Sequence, residues 1–481
     1  MPASTLGSIL SVGAYVPRLR LARATIAAAI GWAGPPAKSA LGGSRAVGNW
    51  DEDALTMAVE AARMALAGAD APISALTLAS TSLPFTDRDN AALVAGALDL
   101  GAQLETLNTT ATLRAGTSAL AAAARRSDGA HTLITASDLR LARPASAQEL
   151  AFGDAAAAMV VGPAARDGLA TVVASQHHAA YFVDHYRMSD ATFDYALEER
   201  WVRDAGYSQL VPPAIAATLA AAGVAADAVN HLVLPAPAAV ARRVAQLAGL
   251  GRARLQDNLQ LEIGDSGTAL PLLMLAATLD GAQPADTIVV VGFGQGVDVL
   301  VLRADAGVAS RATRVAGAIA RRVDEPNYVR YLAHRGIVSV DFGMRAERDQ
   351  RTAHSVAWRK HRDLTAFVGG RCQACGTVQF PRSPVCVNPA CRATDTQQPH
   401  RLADGVGRVK SFTEDWQAYC ARPPYLYGNV EFGEGGNLLM EFTDAEPGDV
   451  AAGDAVRFVF RIKDEDRLRA FRRYFWKAVK A

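Results

Sequence analysis

One order of segments occurs twice in this chain, and it constrains the fold more than any other feature. Over residues 115–162, "AGTSAL" opens a helix, "HTLITAS" follows as an apolar strand, and "FGDAAAAMVVG" supplies a Gly turn and a second strand. Over residues 266–302 the same order returns as "SGTALPL", "TIVVVGF" and "GFGQGVDVLVL". Short apolar runs bounded by Gly read as buried strands, and the small-residue stretches before them as helices. Two such units packed about a pseudo-twofold axis bury their apolar faces against each other. Residues 1 to about 305 are therefore expected to form a duplicated α/β fold, with halves at about 1–165 and 166–305.

The glycines of "VVVGFGQGVDVLVL" (Gly292, Gly294, Gly296) follow a strand, as in a dinucleotide-binding loop. Such a loop must lead into a helix, and here a second strand follows, so the motif reads as a β-turn-β corner.

The rest of the chain differs in character. Residues 306–365 are rich in Arg, His and Asp, with "YVRYLAHRG" and "SVAWRKHRD" as helices or connectors. A charge run of this kind is ordinarily a solvated face; a surface that grips acyl-CoA phosphates is the functional alternative. The first 371 residues hold no cysteine, whereas four of the five fall in "CQACGTVQFPRSPVCVNPAC". Cys372 and Cys375, then Cys386 and Cys391, form two knuckles joined by a ten-residue ribbon. Four soft thiolates in a tetrahedron select zinc first and a single iron less often. With no position open to water the metal site is expected to be structural. Cys420 stands apart and reads as an ordinary buried thiol. Strand-like stretches then alternate with turn residues, as in a small β-barrel. The expected divisions are a helical connector at 306–365, a zinc ribbon at 366–398, and an OB-type barrel at 399–481 closed by a basic aromatic helix, "DRLRAFRRYFWKAV".

Several stretches of the first 305 residues, in order, resemble the thiolase superfamily, and most closely hydroxymethylglutaryl-CoA synthase and ketoacyl synthase III. They are "GSILSVGAYVPRLRL", "NWDEDALTMAVEAARMAL", "AFGDAAAAMVVG", "FVDHYRMSDATFDYALEERWVRDAGY" and "GFGQGVDV". The likeness implies a five-layered αβαβα fold, usually dimeric, acting on acyl-CoA or acyl carrier protein thioesters. Residues 350–481 resemble a rubredoxin-like zinc ribbon joined to an OB-fold, a module that accompanies thiolases and hydroxymethylglutaryl-CoA synthases in complexes. "GGRCQACGTVQFP", "GRVKSFT" and "PPYLYGNVEF" carry that likeness.

The superfamily's reaction uses a Cys nucleophile, a His acid/base and often an Asn that holds the thioester or oxyanion. The resemblance sets these positions at Leu113, Pro235 and Asp265. Leu has no nucleophile and Pro moves no proton. Asp265 retains basicity but repels a developing oxyanion. Thr110, Thr112, Thr117 and Ser118 offer hydroxyls near the helix start but no visible base, and a Thr there reads as an N-cap. His231 reads as a surface residue at a strand start. His177, His178 and His185 with Tyr181 and Tyr186 form the richest acid/base cluster, and thiolase-like aldolases without Cys use Tyr.

The expectation is a thiolase-type subunit without the triad, a scaffold and CoA-channel partner of a separate Cys-bearing thiolase. The alternative is a Cys-independent acyl-CoA aldolase or acyltransferase. Zinc and a coenzyme A thioester are the expected ligands, with a homodimer through the thiolase-like domain. The formal net charge of +1 argues against a nucleic-acid partner. No apolar run reaches the ~20 residues of a membrane span, and no basic segment precedes an apolar one at the N-terminus. These features point to the cytoplasm.

Overall fold

The computed structural model describes residues 6–34, 40–126, 128–310, 315–348, 350–433 and 435–481. Its contacts divide it into two units. The first comprises Met1–Gly48, Asp53–Ala92 and Gly101–Tyr331; the second comprises Asn49–Glu52, Leu93–Leu100 and Leu332–Ala481.

The first unit is built on ten strands: β1 (Ser8–Tyr15), β2 (Ile73–Ala79), β3 (Glu105–Thr109), β4 (His131–Asp138), β5 (Ala155–Gly162), β6 (Ala170–Ala179), β7 (His231–Val233), β8 (Arg254–Leu255), β9 (Thr287–Phe293) and β10 (Gly296–Ala304). They run β3-β2-β4-β5-β1 and then β6-β10-β9-β7-β8. Each set of five thus has the same order, third-second-fourth-fifth-first. The sense also repeats: β2 is parallel to β3 and β4, as β7 is to β8 and β9, while the last two junctions of each set are antiparallel. The sets meet only where Ser8 and Ile9 of β1 face Thr171 and Ala170 of β6. The duplication expected from the repeated segments is therefore present strand for strand.

Five helices complete the layers: α1 (Ala54–Leu66), α2 (Ala115–Ala124), α3 (Ser208–Ala222), α4 (Ala238–Leu247) and α5 (Leu270–Leu279). The two helices opened by Gly-Thr pairs, α2 and α5, touch each other and both half-sheets, so they form the shared central layer. Most of their small and apolar residues are enclosed, as suits a central layer, with Ala122 exposed and Ala277 half-buried. Helix α1 covers one outer face and α3 with α4 the other, giving αβαβα. Asp53 starts α1 with a capping box: its carboxylate accepts from the amides of Leu55 and Thr56, and Thr56 Oγ1 accepts from the Asp53 amide.

The second unit holds a three-stranded ribbon of β11 (Val368–Cys372), β12 (Val378–Gln379) and β13 (Gln397–Arg401), ordered β12-β11-β13. A five-stranded barrel follows: β14 (Val406–Asp415), β15 (Tyr425–Phe432), β16 (Asn437–Glu441), β17 (Ala455–Asp466) and β18 (Phe471–Lys480), ordered β16-β15-β14-β17-β18. A bridge between Phe442 and Ala478 joins the outer strands and closes it. The basic aromatic C-terminal segment is a strand, not the expected helix. Its arginines find acids directly across the ladder: Arg473 faces Asp464 and Arg472 faces Glu465, each forming an ion pair. Opposite charges in register stabilise the hairpin, and Trp476 is enclosed beside Phe367 and Phe460. No helix among the described residues is long and apolar enough to cross a membrane.

Candidate functional site

Helix α2 opens on Arg114, with Leu113 just before it and no side-chain N-cap. The Thr residues of this entry serve other ends. Thr112 donates to the Gly294 carbonyl at 2.7 Å, and Thr117 donates to the Arg114 carbonyl at 2.8 Å, while Thr110 is exposed. The second glycine turn lies directly on Leu113. A methyl at Gly294 would stand 3.1 Å from the Leu113 nitrogen and 3.3 Å from its Cβ; one at Gly292 would stand 2.0 Å from Thr117 Oγ1. The repeated turn is glycine because a backbone passes there against a helix start.

Beneath the helix entry lies Asp298, the lone acid of β10 and fully buried. Its carboxylate accepts from Arg114 Nη1 at 2.8 Å, Ser118 Oγ at 2.5 Å and Thr117 Oγ1 at 3.1 Å, and lies 2.8 Å from His177 Nδ1. Burial alone would raise this carboxyl, but the hydrogen bonds from His177 and Ser118 and the Arg114 charge hold it below the usual range. Arg125 Nη1 reaches His177 Nε2 at 2.7 Å. Ser118 is thus committed to a depressed, cation-paired carboxylate, which is a poor base for activating it.

The Asp265 position is an ion pair. Arg140 Nη1 lies 2.9 Å from Asp265 Oδ2, the same guanidinium approaches Asp194 at 3.5 Å, and it sits 3.5 Å over the Phe152 ring. The Gly267 amide donates to Asp265 Oδ1 at 2.9 Å. Asp265, expected as a free base or a repulsive charge, is instead neutralised by Arg140.

The Pro235 position has acquired a neighbour that the sequence did not single out. Tyr207 donates from its hydroxyl to the Pro235 carbonyl at 3.2 Å and stacks on Phe293, with ring centroids 4.1 Å apart. It ends a π-helical turn, Val202–Tyr207, which precedes α3. That helix contains Pro212 and Pro213, which lack the amides its first carbonyls would need. Burial, with the carboxylates of Asp265 and Asp184 nearby, pushes the Tyr207 phenol well above its usual range. Gly206 makes room, since a methyl there would stand 2.9 Å from both Phe182 and Phe293.

The expected His/Tyr cluster does not converge. His177 belongs to Asp298, His178 pairs with Val297 on the ladder, and His185 lies 2.9 Å from Asp184. Tyr186 packs on Tyr195, and Tyr181 is fully exposed. Successive strand residues point to opposite faces, so His177 and His178 cannot serve one site. His231, expected at the surface, is buried at the start of β7 and lies 2.9 Å from Asp286. Cys420 is a buried thiol whose pKa burial raises.

In the ribbon, the sulfurs of Cys372, Cys375, Cys386 and Cys391 all lie within 4.8 Å of one another. The Cys372–Cys391 and Cys375–Cys386 pairs are 3.9 and 3.6 Å apart. A tetrahedron with metal–sulfur bonds of ~2.3 Å has edges of ~3.8 Å, so the donor set fits zinc. Thr396 Oγ1 and Thr377 Oγ1 each stand 3.2 Å from a ligand sulfur, as outer-sphere partners.

Residues 361–397 match the family described as ChsH2, rubredoxin-like zinc ribbon domain, and residues 400–461 match ChsH2, C-terminal OB-fold domain. Over 113 residues the chain is 32% identical to a DUF35 domain-containing scaffold protein of Methanocaldococcus jannaschii, covering 23% of this chain and 78% of that one. Over 348 residues it is 28% identical to the hydroxymethylglutaryl-CoA synthase of Archaeoglobus fulgidus, covering 68% of this chain and 98% of that one. Among solved structures, MvaS in complex with 3-hydroxy-3-methylglutaryl coenzyme A superposes with a TM-score of 0.58 at 18% identity, over 69% of this chain and 92% of that one.

Proposed function

We propose that this chain, which belongs to the DUF35 domain-containing family and joins that module to a hydroxymethylglutaryl-CoA synthase-like thiolase fold, is a scaffold and CoA-channel subunit of an acyl-CoA C–C bond forming or cleaving complex. The nucleophilic thiolate belongs to a separate thiolase. The observation that carries this reading is the hydrocarbon side chain at Leu113, lying against Gly294 on an otherwise intact helix entry. The other two triad positions are occupied by Pro235 and by an ion-paired Asp265. The four-Cys ribbon holds structural zinc, and the thiolase-like unit forms a homodimer. The A. fulgidus relative is named a hydroxymethylglutaryl-CoA synthase and the scaffold relative a scaffold protein, which supports joining the two roles in one chain. Co-expression with candidate thiolases followed by native mass spectrometry tests it: a thiolase is expected to co-purify, and acyl-CoA turnover is expected only in that complex. Turnover at an enzymatic rate by this chain alone would refute the scaffold role.

Tyr207 favours a second reading, a Cys-independent acyl-CoA aldolase or acyltransferase. A half-buried phenol whose hydroxyl donates to the Pro235 carbonyl supports it. Under this reading the isolated chain turns over and Tyr207→Phe abolishes it.

A further inference from the structure

The second unit contains a buried charge cluster that the proposed function does not use. Arg461 of β17 and Lys477 of β18 are each 1% exposed. The barrel itself answers them with Asp444, which accepts from Arg461 Nη2 at 3.1 Å, and Glu441, 3.2 Å from Lys477 Nζ. Lys463 also takes Glu441, so this wall of three cations and two carboxylates keeps one positive charge.

The segment Asn49–Glu52 belongs to the same unit and complements that wall residue by residue. Asp51 accepts from Lys477 Nζ at 3.0 Å and lies 3.8 Å from Arg461 Nε. Glu52 stands 3.1 Å from Arg461 Nη2, and its other oxygen accepts from the Asn49 amide at 2.7 Å. Asn49 donates to Asp444 at 3.3 Å, and the Trp50 ring lies 4.1 Å from the Lys477 ammonium. The backbone takes part as well. Strand β17 slips register between Ile462 and Asp464, and the Ile462 amide donates to the Asp51 carbonyl at 2.9 Å. A main-chain hydrogen bond to a strand, with side-chain pockets on either side, is how sheet surfaces recognise extended peptides.

We propose that this barrel wall is a peptide-recognition site for an Asn-Trp-Asp-Glu segment, occupied here by residues 49–52 of the same chain. Asp51 and Glu52 pair with Lys477 and Arg461 of the wall, and all four side chains of the motif are read. Desolvated pairs of this kind are specific, because a missing partner leaves a charge buried alone.

The test uses the full chain carrying Asp51→Asn and Glu52→Gln together, which removes the segment's two acids while keeping shape. A labelled synthetic peptide of residues 47–56, VGNWDEDALT, is titrated into this variant and into the wild type. The expected result is binding to the variant roughly tenfold or more tighter than to the wild type, weakening as salt rises. A peptide with Asn and Gln in place of the two acids should not bind. A folded, zinc-loaded variant that ignores the acidic peptide would overturn the proposal. Should the variant fail to fold, Trp50→Ala leaves both ion pairs in place. Hydrogen exchange should then quicken together at residues 49–52 and at the Ile462 amide; unchanged exchange there would also overturn it.

Discussion

The Tyr207 hydroxyl donates to the carbonyl of Pro235, the residue we propose for the position of the superfamily's acid/base histidine. Under that proposal a hydroxyl from a different element stands beside the acid/base position, and Leu113 takes the nucleophile's. If the chain is a scaffold, Tyr207→Phe costs one hydrogen bond, and turnover of the assembled complex should change by no more than about twofold to threefold. General acid catalysis supplies about 100-fold or more, so a loss of that size in steady-state assays would establish the aldolase reading instead. Leu113→Cys should not restore acyl transfer, because Pro235 and the Arg140-bound Asp265 leave a thiol there without its acid/base partner. A burst of acyl-enzyme in that variant would contradict this.

Asp298 gathers Arg114, Ser118, Thr117 and His177 under the same helix entry. Removing a buried carboxylate strands its cation, at a cost of about 3–5 kcal/mol. Asp298→Ala should lower the unfolding free energy by that order in urea titration. Asp298→Asn keeps an acceptor for Ser118 and Thr117 and should cost less.

Cys→Ser at Cys372, Cys375, Cys386 or Cys391 should abolish zinc retention measured by elemental analysis. Metal binding contributes an apparent ~10–16 kcal/mol to small modules of this type, so the ribbon strands should unfold. The ten-stranded unit draws its core from other residues, and most of the helical circular dichroism should persist.

Glu441 carries a pH signature. Burial alone would raise its carboxyl, but Lys477, Lys463 and the Tyr425 hydroxyl pull it down to about 2. Its folded value lies below the ordinary 4.5, so the stability it contributes is present above pH 4.5 and is lost as pH falls toward 2. The shift corresponds to on the order of 3 kcal/mol. Glu441→Gln should flatten the fall in melting temperature across that window.

The architecture was legible in the sequence because a buried fold writes its periodicity into apolar runs. The pairs "AGTSAL" and "SGTALPL" became the central helices α2 and α5, and the four cysteines became the ribbon's thiolate cluster. What escaped were residues whose meaning depends on a partner far along the chain. Tyr207 acquires its place from Pro235 and Phe293, and Arg140 from Asp265. The segment 466–479 looked helical alone; residues 471–480 form a strand whose Arg472 and Arg473 face Glu465 and Asp464 across the ladder. Asp298 did leave a signal, as a lone carboxylate in an apolar strand, where a buried charge requires company. The His/Tyr cluster misled because closeness in sequence was taken for closeness in space, although adjacent strand residues face apart.

The contact between the halves offers the sharpest test of the duplication. Gly116 of α2 passes so close to the start of α5 that a methyl on it would lie 2.5 Å from the Thr268 carbonyl oxygen and 3.3 Å from Ala136 Cβ. The first obstacle is backbone, fixed by the second half's own Gly-Thr helix start, and it cannot swing aside as a side chain tip would. Gly→Ala in a helix is ordinarily favourable by up to about 1 kcal/mol, so the sign of the effect is diagnostic. Gly116→Ala should destabilise the chain by about 1–3 kcal/mol through overpacking. Gly251→Ala, at a position with open space around it, serves as the control and should be within about 0.5 kcal/mol of wild type. Equal unfolding midpoints for the two variants would mean that the central helices do not meet at their Gly-Thr starts.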